Sequence, residues 1–208
     1  MMRAYVAEFL GTFFLMFAII FSGEPWAIGL MFAAMIYIGG HISGGYYNPA
    51  LVGAVWWLRG GFTGQQLLGY CCAQILGAGL AAAYFLGVSG DHFLLELPDG
   101  IAFVDVALRE ILLTFVLCSV VLTFVITDRY RMSHKGGLIA GLTLAALATM
   151  GGLYNPALFL GALLCNMLYA HMPILENVLT FTLAPLIGAL LATSVYAYLN
   201  PREITQKI

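Results

Sequence analysis

Long apolar runs dominate this 208-residue chain, and polar residues mark their ends. A membrane-spanning helix needs about 20 mostly apolar residues. Six runs are candidates, at residues 4–22, 25–40, 64–88, 103–127, 136–150 and 175–199. The second and fifth are short, and each leads into the same letters, YNPAL, at residues 47–51 and 154–158. The pattern predicts an all-α integral membrane protein in which one helix break occurs twice.

The composition indicates the same class. The chain is 62% hydrophobic and 9% charged, whereas soluble domains carry about 25% charged residues. No stretch remains for a separate soluble domain, so we expect residues 1–208 to form a single transmembrane domain. The first run is untypical of a signal peptide because it is long, contains Glu8 and lacks a clear cleavage site. The four cysteines lie in apolar runs without metal-site spacing, which favours a packing role.

The basic residues are distributed unevenly between the predicted loops. With the N-terminus inside, the cytoplasmic side carries seven of the eight: Arg3, Arg59, Arg129, Arg131, Lys135, Arg202 and Lys207. The outer loops carry only acidic charges, from Glu24, Asp91, Glu96, Asp99 and Glu176. This distribution follows the positive-inside rule and predicts cytoplasmic termini in a plasma or inner membrane. The eighth, Arg109, falls near the outer part of the fourth helix, four residues after Asp105, where the two side chains can pair.

Several short segments occur twice in the same order. AEFLGTFFL (7–15) corresponds to REILLTFVL (109–117), GLMFAA (29–34) to GLTLAA (141–146), and AQILGA (73–78) to APLIGA (184–189). The two halves cover roughly 1–98 and 99–208, and each holds three predicted spans. Because three is odd, the second half must enter the membrane from the opposite side, which predicts an inverted repeat of the kind found in channels and transporters.

Each Asn-Pro predicts the start of a helix, since Asn is a favoured N-cap and Pro a favoured first residue. The first such helix runs about eleven residues, roughly 16 Å at 1.5 Å per residue. The hydrocarbon core is about 30 Å thick, so this helix reaches halfway. We expect Gly-rich, irregular segments at 39–47 and 151–154 to carry the chain to the midplane, which is tolerated only where backbone is buried or lines a cavity.

Two half-helices that meet at their N-termini would bring Asn48 and Asn155 together. The positive ends of both helix dipoles would then oppose a cation, and the two amide groups would donate hydrogen bonds to a passing solute. This arrangement predicts passive conduction of small uncharged molecules. The sequence contains no paired catalytic residues, metal cluster or phosphate loop, so we expect neither enzyme activity, nor a cofactor, nor a nucleic-acid partner.

Together these segments, including GHISGGYYNPA (40–50), resemble the aquaporin-type channels of the major intrinsic protein family. The resemblance covers nearly the whole chain. It implies an aquaporin-like inverted repeat of six transmembrane helices and two re-entrant half-helices. It also implies a homotetramer in the lipid bilayer with one pore per subunit, open to water and small neutral solutes.

The resemblance also implies roles for individual residues. The two pore motifs would be Asn48, Pro49, Ala50, Asn155, Pro156 and Ala157. Pore carbonyls would come from Gly44, Gly45, Tyr46, Tyr47, Gly151, Gly152 and Leu153. Glu8 and Glu110 would brace the re-entrant loops, with a proton-relay or ion-site role as the alternative. His41 would either brace its loop or act in gating.

The selectivity filter departs from the family pattern. Leu158 follows the second Asn-Pro-Ala, where the family usually has Arg. The other filter positions correspond to Ile28, Gly152 and either Ala148 or Thr143, depending on the direction of counting. The second loop is five residues shorter than the first, which leaves room for Arg109 to reach the same space. We therefore expect an apolar, wide filter that admits water, glycerol-like or ammonia-like solutes.

Two other functions remain open at this stage. An inverted repeat could also form an ion-coupled transporter in which Glu8 and Glu110 are the coupling carboxylates. A non-conducting membrane scaffold is the third alternative.

Overall fold

The computed structural model describes residues 1–93, 95–97, 100–131, 134–167 and 175–205, and these form helices and connecting loops. The longer helices are α1 (Met2–Ser22), α2 (Pro25–Ser43), α4 (Gly64–Ser89) and α5 (Phe103–Ile126). The final span, Leu175–Leu199, consists of α9 (Leu175–Val178), a π-helical turn (Leu179–Leu183) and α10 (Ala184–Leu199). The shorter helices are α3 (Pro49–Arg59), α6 (Asp128–Arg131), α7 (Gly136–Ala148), α8 (Pro156–Met167) and α11 (Pro201–Thr205).

Within the described ranges, five helical spans are long and apolar enough to cross a membrane, and each matches a predicted one. The sixth, α7, has 13 residues, or about 20 Å at 1.5 Å per residue, so it does not cross a core of about 30 Å alone. Residues 149–155 are non-helical and lead into α8. The helical part of the fifth predicted span is therefore shorter than expected.

Helix packing follows the order of the two halves. In the first half α1 packs on α4, and in the second α5 packs on α10, while α2 and α7 pack on each other. Each half-helix packs on the last long helix of the other half: α3 on α10, and α8 on α4. This is the pairing that an inverted repeat predicts. We call the side where α1 begins the inner side, and the opposite side the outer side.

Small residues allow these helices to approach closely. A β-carbon on Gly77 would lie 2.3 Å from the Phe9 carbonyl oxygen, and one on Gly188 would lie 2.3 Å from that of Ile111. Both glycines are therefore in contact with helices of the same chain.

The end of α2 differs from the prediction. The segment 39–43 was expected to be irregular because of its glycines, but α2 continues through it to Ser43 and ends at Gly44 with φ 102°. Gly39 is needed there because a β-carbon would lie 2.4 Å from the Tyr47 hydroxyl oxygen. The glycine thus makes room for a ring from the following loop.

Candidate functional site

The half-helices α3 and α8 begin at the two Asn-Pro pairs, as predicted. Asn48 caps α3, with its Oδ1 accepting a hydrogen bond from the Ala50 amide at 2.9 Å. Asn155 caps α8 in the same way, accepting from the Ala157 amide at 3.1 Å. Both asparagines are buried, so the N-termini of both half-helices lie inside the protein.

The two asparagines also join the two loops. Asn48 Nδ2 donates to the Tyr154 carbonyl oxygen at 2.8 Å, and Asn155 Nδ2 donates to the Tyr47 carbonyl oxygen at 2.9 Å. One of the two amide hydrogens of each residue is therefore used within the protein. From the sequence, both amide hydrogens were predicted to be available to a solute, whereas one hydrogen per asparagine remains available.

Tyr47 and Tyr154 have an uncommon backbone conformation. Their φ values are 53° and 39°, and they are the described non-glycine residues with positive φ. This conformation is strained for residues with a β-carbon, so surrounding contacts must hold it. The sequence predicted carbonyls at Tyr47 but nothing about this conformation, because no local feature distinguishes a left-handed Tyr.

Glu8 holds the first loop with four hydrogen bonds. It accepts from the Ser43 hydroxyl at 2.6 Å, the Tyr46 and Tyr47 amides at 3.0 and 2.6 Å, and Gln74 Nε2 at 2.8 Å. The Glu8 side chain is fully buried. Ser43 and Gln74 were not predicted as partners, although both lie in the quoted segments GHISGGYYNPA and AQILGA.

Glu110 holds the second loop with fewer bonds. It accepts from the Leu153 and Tyr154 amides, both at 2.5 Å. The positions that correspond to Ser43 and Gln74 are Met150 and Pro185, which have no side-chain donor. The bracing geometry expected for Glu8 and Glu110 is thus present at both loops, but the second brace has only backbone donors.

A cavity of about 210 Å³ lies on the outer side of the two asparagines. Its lining is mostly apolar and includes Leu15, Ile19, Phe32, Leu117 and Leu144. Its polar groups are Asn48, Asn155 and the loop backbone from Gly151 to Tyr154. Such a lining offers backbone acceptors and two side-chain amides to a solute.

A second cavity, of about 370 Å³, opens on the inner side. Both cavities are lined by α2, α5 and α7, at successive turns of each helix. On these helices Phe32, Leu117 and Leu144 line the outer cavity, and four residues further toward the inner side Ile36, Val121 and Ala140 line the inner one. The cavities therefore follow one axis, with the paired asparagines at the inner end of the outer cavity.

The four predicted filter residues lie around one space. Ile28, Ala148, Gly152 and Leu158 all line the outer cavity. Thr143, the alternative to Ala148, does not line it, and its hydroxyl donates to the Ile139 carbonyl oxygen at 2.8 Å. The geometry favours Ala148 at the fifth-helix position.

Other predicted residues are placed less uniformly. Gly151 and Leu153 line the outer cavity and Gly44 and Gly45 the inner one, but Tyr46 and Tyr47 line neither. His41 is exposed on the last turn of α2 and lines the inner cavity. Among the described residues it has no hydrogen-bond partner, so the structure gives no support for its bracing role.

Arg109 lies beside the outer loop. A β-carbon on Gly151 would be 3.4 Å from Arg109 Nη1. Within the described part of the chain, Arg109 and Asp105 form no ion pair, so the predicted pairing is not observed.

Comparisons with known proteins agree with this architecture. The sequence profile of the family described as Major intrinsic protein matches residues 1–196. The chain is 35% identical to "Glycerol uptake facilitator protein-like 6" of Lactiplantibacillus plantarum, over 92% of this chain and 95% of that protein. It is 32% identical to "Aquaporin AqpM" of Methanothermobacter thermautotrophicus, over 94% of this chain and 96% of the relative.

A solved structure shares the fold. The aquaglyceroporin from Plasmodium falciparum superimposes with a TM-score of 0.81 over 99% of both chains, at 22% identity. The profile match spans nearly the whole chain, and its limits include both half-helices and both loop braces. This chain belongs to the major intrinsic protein family.

Proposed function

We propose that this chain is a passive channel for small uncharged solutes, with a passage that runs through the outer cavity, past Asn48 and Asn155, to the inner cavity. The observation that carries the proposal is the alignment of the two cavities along α2, α5 and α7. The names of the relatives, a glycerol uptake facilitator and an aquaporin, agree with it.

The paired half-helices explain how such a passage would exclude cations. Each helix N-terminus carries about half a positive charge, and both lie at the same depth. The remaining hydrogen of each amide can donate to a solute oxygen. A water molecule that accepts both bonds has no free lone pair, so it cannot accept a proton from its neighbour, and a proton wire would be interrupted there.

The apolar lining bears on the solute. Leu158, which is only 2% exposed, occupies the position after the second Asn-Pro-Ala, and with Ile28 and Ala148 it presents no side-chain donor. A solute at this level can bond to the loop carbonyls and contact apolar carbon. We infer that the channel admits neutral solutes that are larger or less polar than water, such as glycerol, and ammonia.

The ion-coupled alternative has weaker support. Glu8 and Glu110 line neither cavity. Glu8 accepts four hydrogen bonds and Glu110 two, from Ser43, from Gln74 and from loop amides. A carboxylate that couples ion movement to transport would have to be reached by that ion from the passage.

The same proposal covers the assembly and its orientation. Each chain has its own pair of cavities, which agrees with one pore per subunit in a homotetramer. The distribution of basic residues favours cytoplasmic termini in a plasma or inner membrane. Native mass spectrometry from nanodiscs is expected to give a tetramer, and a monomer would contradict the proposed assembly.

Stopped-flow light scattering of proteoliposomes tests the proposed function directly. Water, glycerol and ammonia permeabilities are measured against empty vesicles, with and without a proton or sodium gradient. We expect glycerol or ammonia flux above the empty-vesicle rate, independent of either gradient. Flux that requires a gradient would instead support the transporter, and no flux of any solute would support the scaffold.

A further inference from the structure

Arg109 places a cationic group beside backbone that lines the outer cavity. It lies in the second turn of α5, next to the loop brace Glu110, and its side chain is half-buried. Its Nη1 lies 3.4 Å from the point where a β-carbon of Gly151 would be. Gly151 lines the outer cavity, so the guanidinium group is adjacent to backbone that a solute would pass.

The surrounding charges make this position unusual. The outer side carries exposed carboxylates, namely Glu24, Asp91, Glu96, Asp105 and Glu176. Among the residues that the structure describes, Arg109 is the only lysine or arginine on this side. An acidic surface around a narrow opening concentrates cations there, and Arg109 is the basic group placed to oppose that effect.

Two features of the second half allow Arg109 to lie close to the outer loop. The chain from Gly141 to Asn155 is five residues shorter than the corresponding chain from Gly29 to Asn48. Gly151 has a φ of 70°, which favours glycine and leaves no side chain between the loop and Arg109. In the first half the residue before the brace is Ala7, so that position supplies no charge to the inner loop.

We propose that Arg109 sets a positive electrostatic potential in the outer cavity and thereby selects against cations at its entrance. This inference rests on the proposed function, because a charge selects among permeants only where the cavity is a passage. It assigns the outer charge to α5 rather than to the position after the second Asn-Pro-Ala, which is Leu158.

A cysteine reporter measures this potential without requiring conduction. Ala148 lines the outer cavity and is partly exposed, and its carbonyl oxygen accepts from the Gly151 amide at 3.3 Å. Ala148→Cys is made in a background in which the four native cysteines are replaced by alanine. The rates of modification by an anionic and a cationic methanethiosulfonate of similar size are then compared in reconstituted protein.

We expect Arg109→Gln to lower the anionic-to-cationic rate ratio about tenfold, and Arg109→Lys to keep it within about twofold. Arg59→Gln is the matched control, because Arg59 is exposed at the inner end of α3 and should leave the ratio unchanged. Arg109→Met separates loss of charge from loss of side-chain volume and should behave like Arg109→Gln.

Two outcomes would overturn the inference. One is an unchanged ratio in both Arg109→Gln and Arg109→Met. The other is an equal loss in Arg109→Lys, which would indicate that Arg109 shapes the loop rather than supplying charge. Wild-type vesicles that pass no neutral solute would contradict the proposed function alone, since the reporter ratio is still measured in them.

Discussion

Asn48 donates a hydrogen bond to the carbonyl oxygen of Tyr154, which lies in the other half of the chain, at 2.8 Å. Asn155 and Tyr47 form the reciprocal bond at 2.9 Å. Each asparagine thus caps its own half-helix and fixes the backbone of the opposite loop. The two loops cannot shift independently, and this coupling determines where the remaining amide hydrogens point.

Replacing either asparagine by aspartate tests this coupling. An ionised carboxylate cannot donate to the tyrosine carbonyl, and an unpaired buried charge is costly. We expect glycerol flux through Asn48→Asp and Asn155→Asp to fall about tenfold or more, which corresponds to a barrier increase of about 1.4 kcal/mol. Stopped-flow measurements on reconstituted protein check this.

Asn200→Asp is the matched control for this substitution. Asn200 also donates through Nδ2 to a backbone carbonyl, that of Tyr196 at 3.0 Å, but it lies at the end of α10 away from both cavities. Its flux should equal that of the wild type. Wild-type flux through a folded Asn48→Asp protein would contradict the central role of the asparagine pair.

The two loop braces should differ in their contribution to stability. Glu8 accepts four hydrogen bonds and Glu110 two. Glutamine has one acceptor oxygen, and its NH2 group would face N–H and O–H groups that now donate to the carboxylate. Some of these donors would be left without a hydrogen-bond partner. A hydrogen bond to a charged group is worth roughly 1.5–3 kcal/mol, so Glu8→Gln should lower Tm more than Glu110→Gln in thermal unfolding monitored by tryptophan fluorescence.

The order of the two effects is the decisive result. Equal losses, or a larger loss for Glu110→Gln, would indicate that the Ser43 and Gln74 bonds contribute little. Ser43→Ala and Gln74→Leu, each removing one donor to Glu8, should give intermediate decreases in Tm.

Gly11 should tolerate no side chain. A β-carbon there would lie 2.0 Å from Tyr47 Cε1, and the ring cannot move freely because its hydroxyl donates to the Met35 carbonyl oxygen at 2.6 Å. Overpacking of this kind costs typically about 1–3 kcal/mol. We expect Gly11→Ala to lower both Tm and solute flux, since Tyr47 also carries the carbonyl that Asn155 binds.

Gly53 provides the control for Gly11. It lies inside α3, and a β-carbon there would meet nothing within 4 Å. Alanine stabilises a helix interior by roughly 0.5–1 kcal/mol relative to glycine, so Gly53→Ala should leave Tm unchanged or raise it. Adding Tyr47→Leu to Gly11→Ala should recover part of the lost Tm if the clash is the cause.

Sequence and structure agree where the controlling interactions are local. Apolar run length and the Asn-Pro pairs predicted the long helices and both half-helices within a few residues. The left-handed backbone of Tyr47 and Tyr154, the Glu8 contacts to Ser43 and Gln74, and the crossed asparagine bonds were not predicted. They depend on segments distant in the chain, and side-chain type alone does not select among the available partners.

The two repeats also show that identical sequence segments pack against different residues. YNPAL occurs in both halves, but the residue facing the Tyr47 ring is Gly11, and its counterpart in the second half is Leu113. A β-carbon on Gly152 would lie 2.8 Å from Leu113 Cδ1, so in that half the close contact to this helix position involves a loop glycine. The family resemblance assigned the same roles to both YNPAL segments. The difference between their surroundings is visible only in the packing.

Ala148 and Thr143 can be separated by one substitution. Ala148 lines the outer cavity, and Thr143 does not. Leucine at 148 would extend into the cavity, so Ala148→Leu should lower glycerol permeability more than water permeability. Thr143→Leu should leave both unchanged. If instead only Thr143→Leu reduces the glycerol rate in vesicle assays, Thr143 is the filter residue on this helix and Ala148 is not.

Leu158 should control the selectivity of the outer cavity. It is buried against that cavity directly after the second Asn-Pro-Ala, and it contributes only apolar surface. Arginine at this position would add donors, positive charge and volume. Water could still bond to the guanidinium group, but a larger solute would lose space and apolar contact. We expect Leu158→Arg to lower the glycerol-to-water permeability ratio by roughly tenfold, measured by stopped-flow scattering.

Leu158→Met keeps the volume and apolar character of the side chain, so it should retain the wild-type ratio. Leu158→Arg would also place a second cation on the side of the protein where Arg109 lies beside Gly151. The same variant therefore tests whether these two cations repel each other. If the two cations repel each other, Leu158→Arg should lower the stability of the protein, and adding Arg109→Gln should restore part of it. A ratio that is unchanged in Leu158→Arg but altered in Arg109→Gln would remove Leu158 from the filter and leave Arg109 as the residue that determines selectivity.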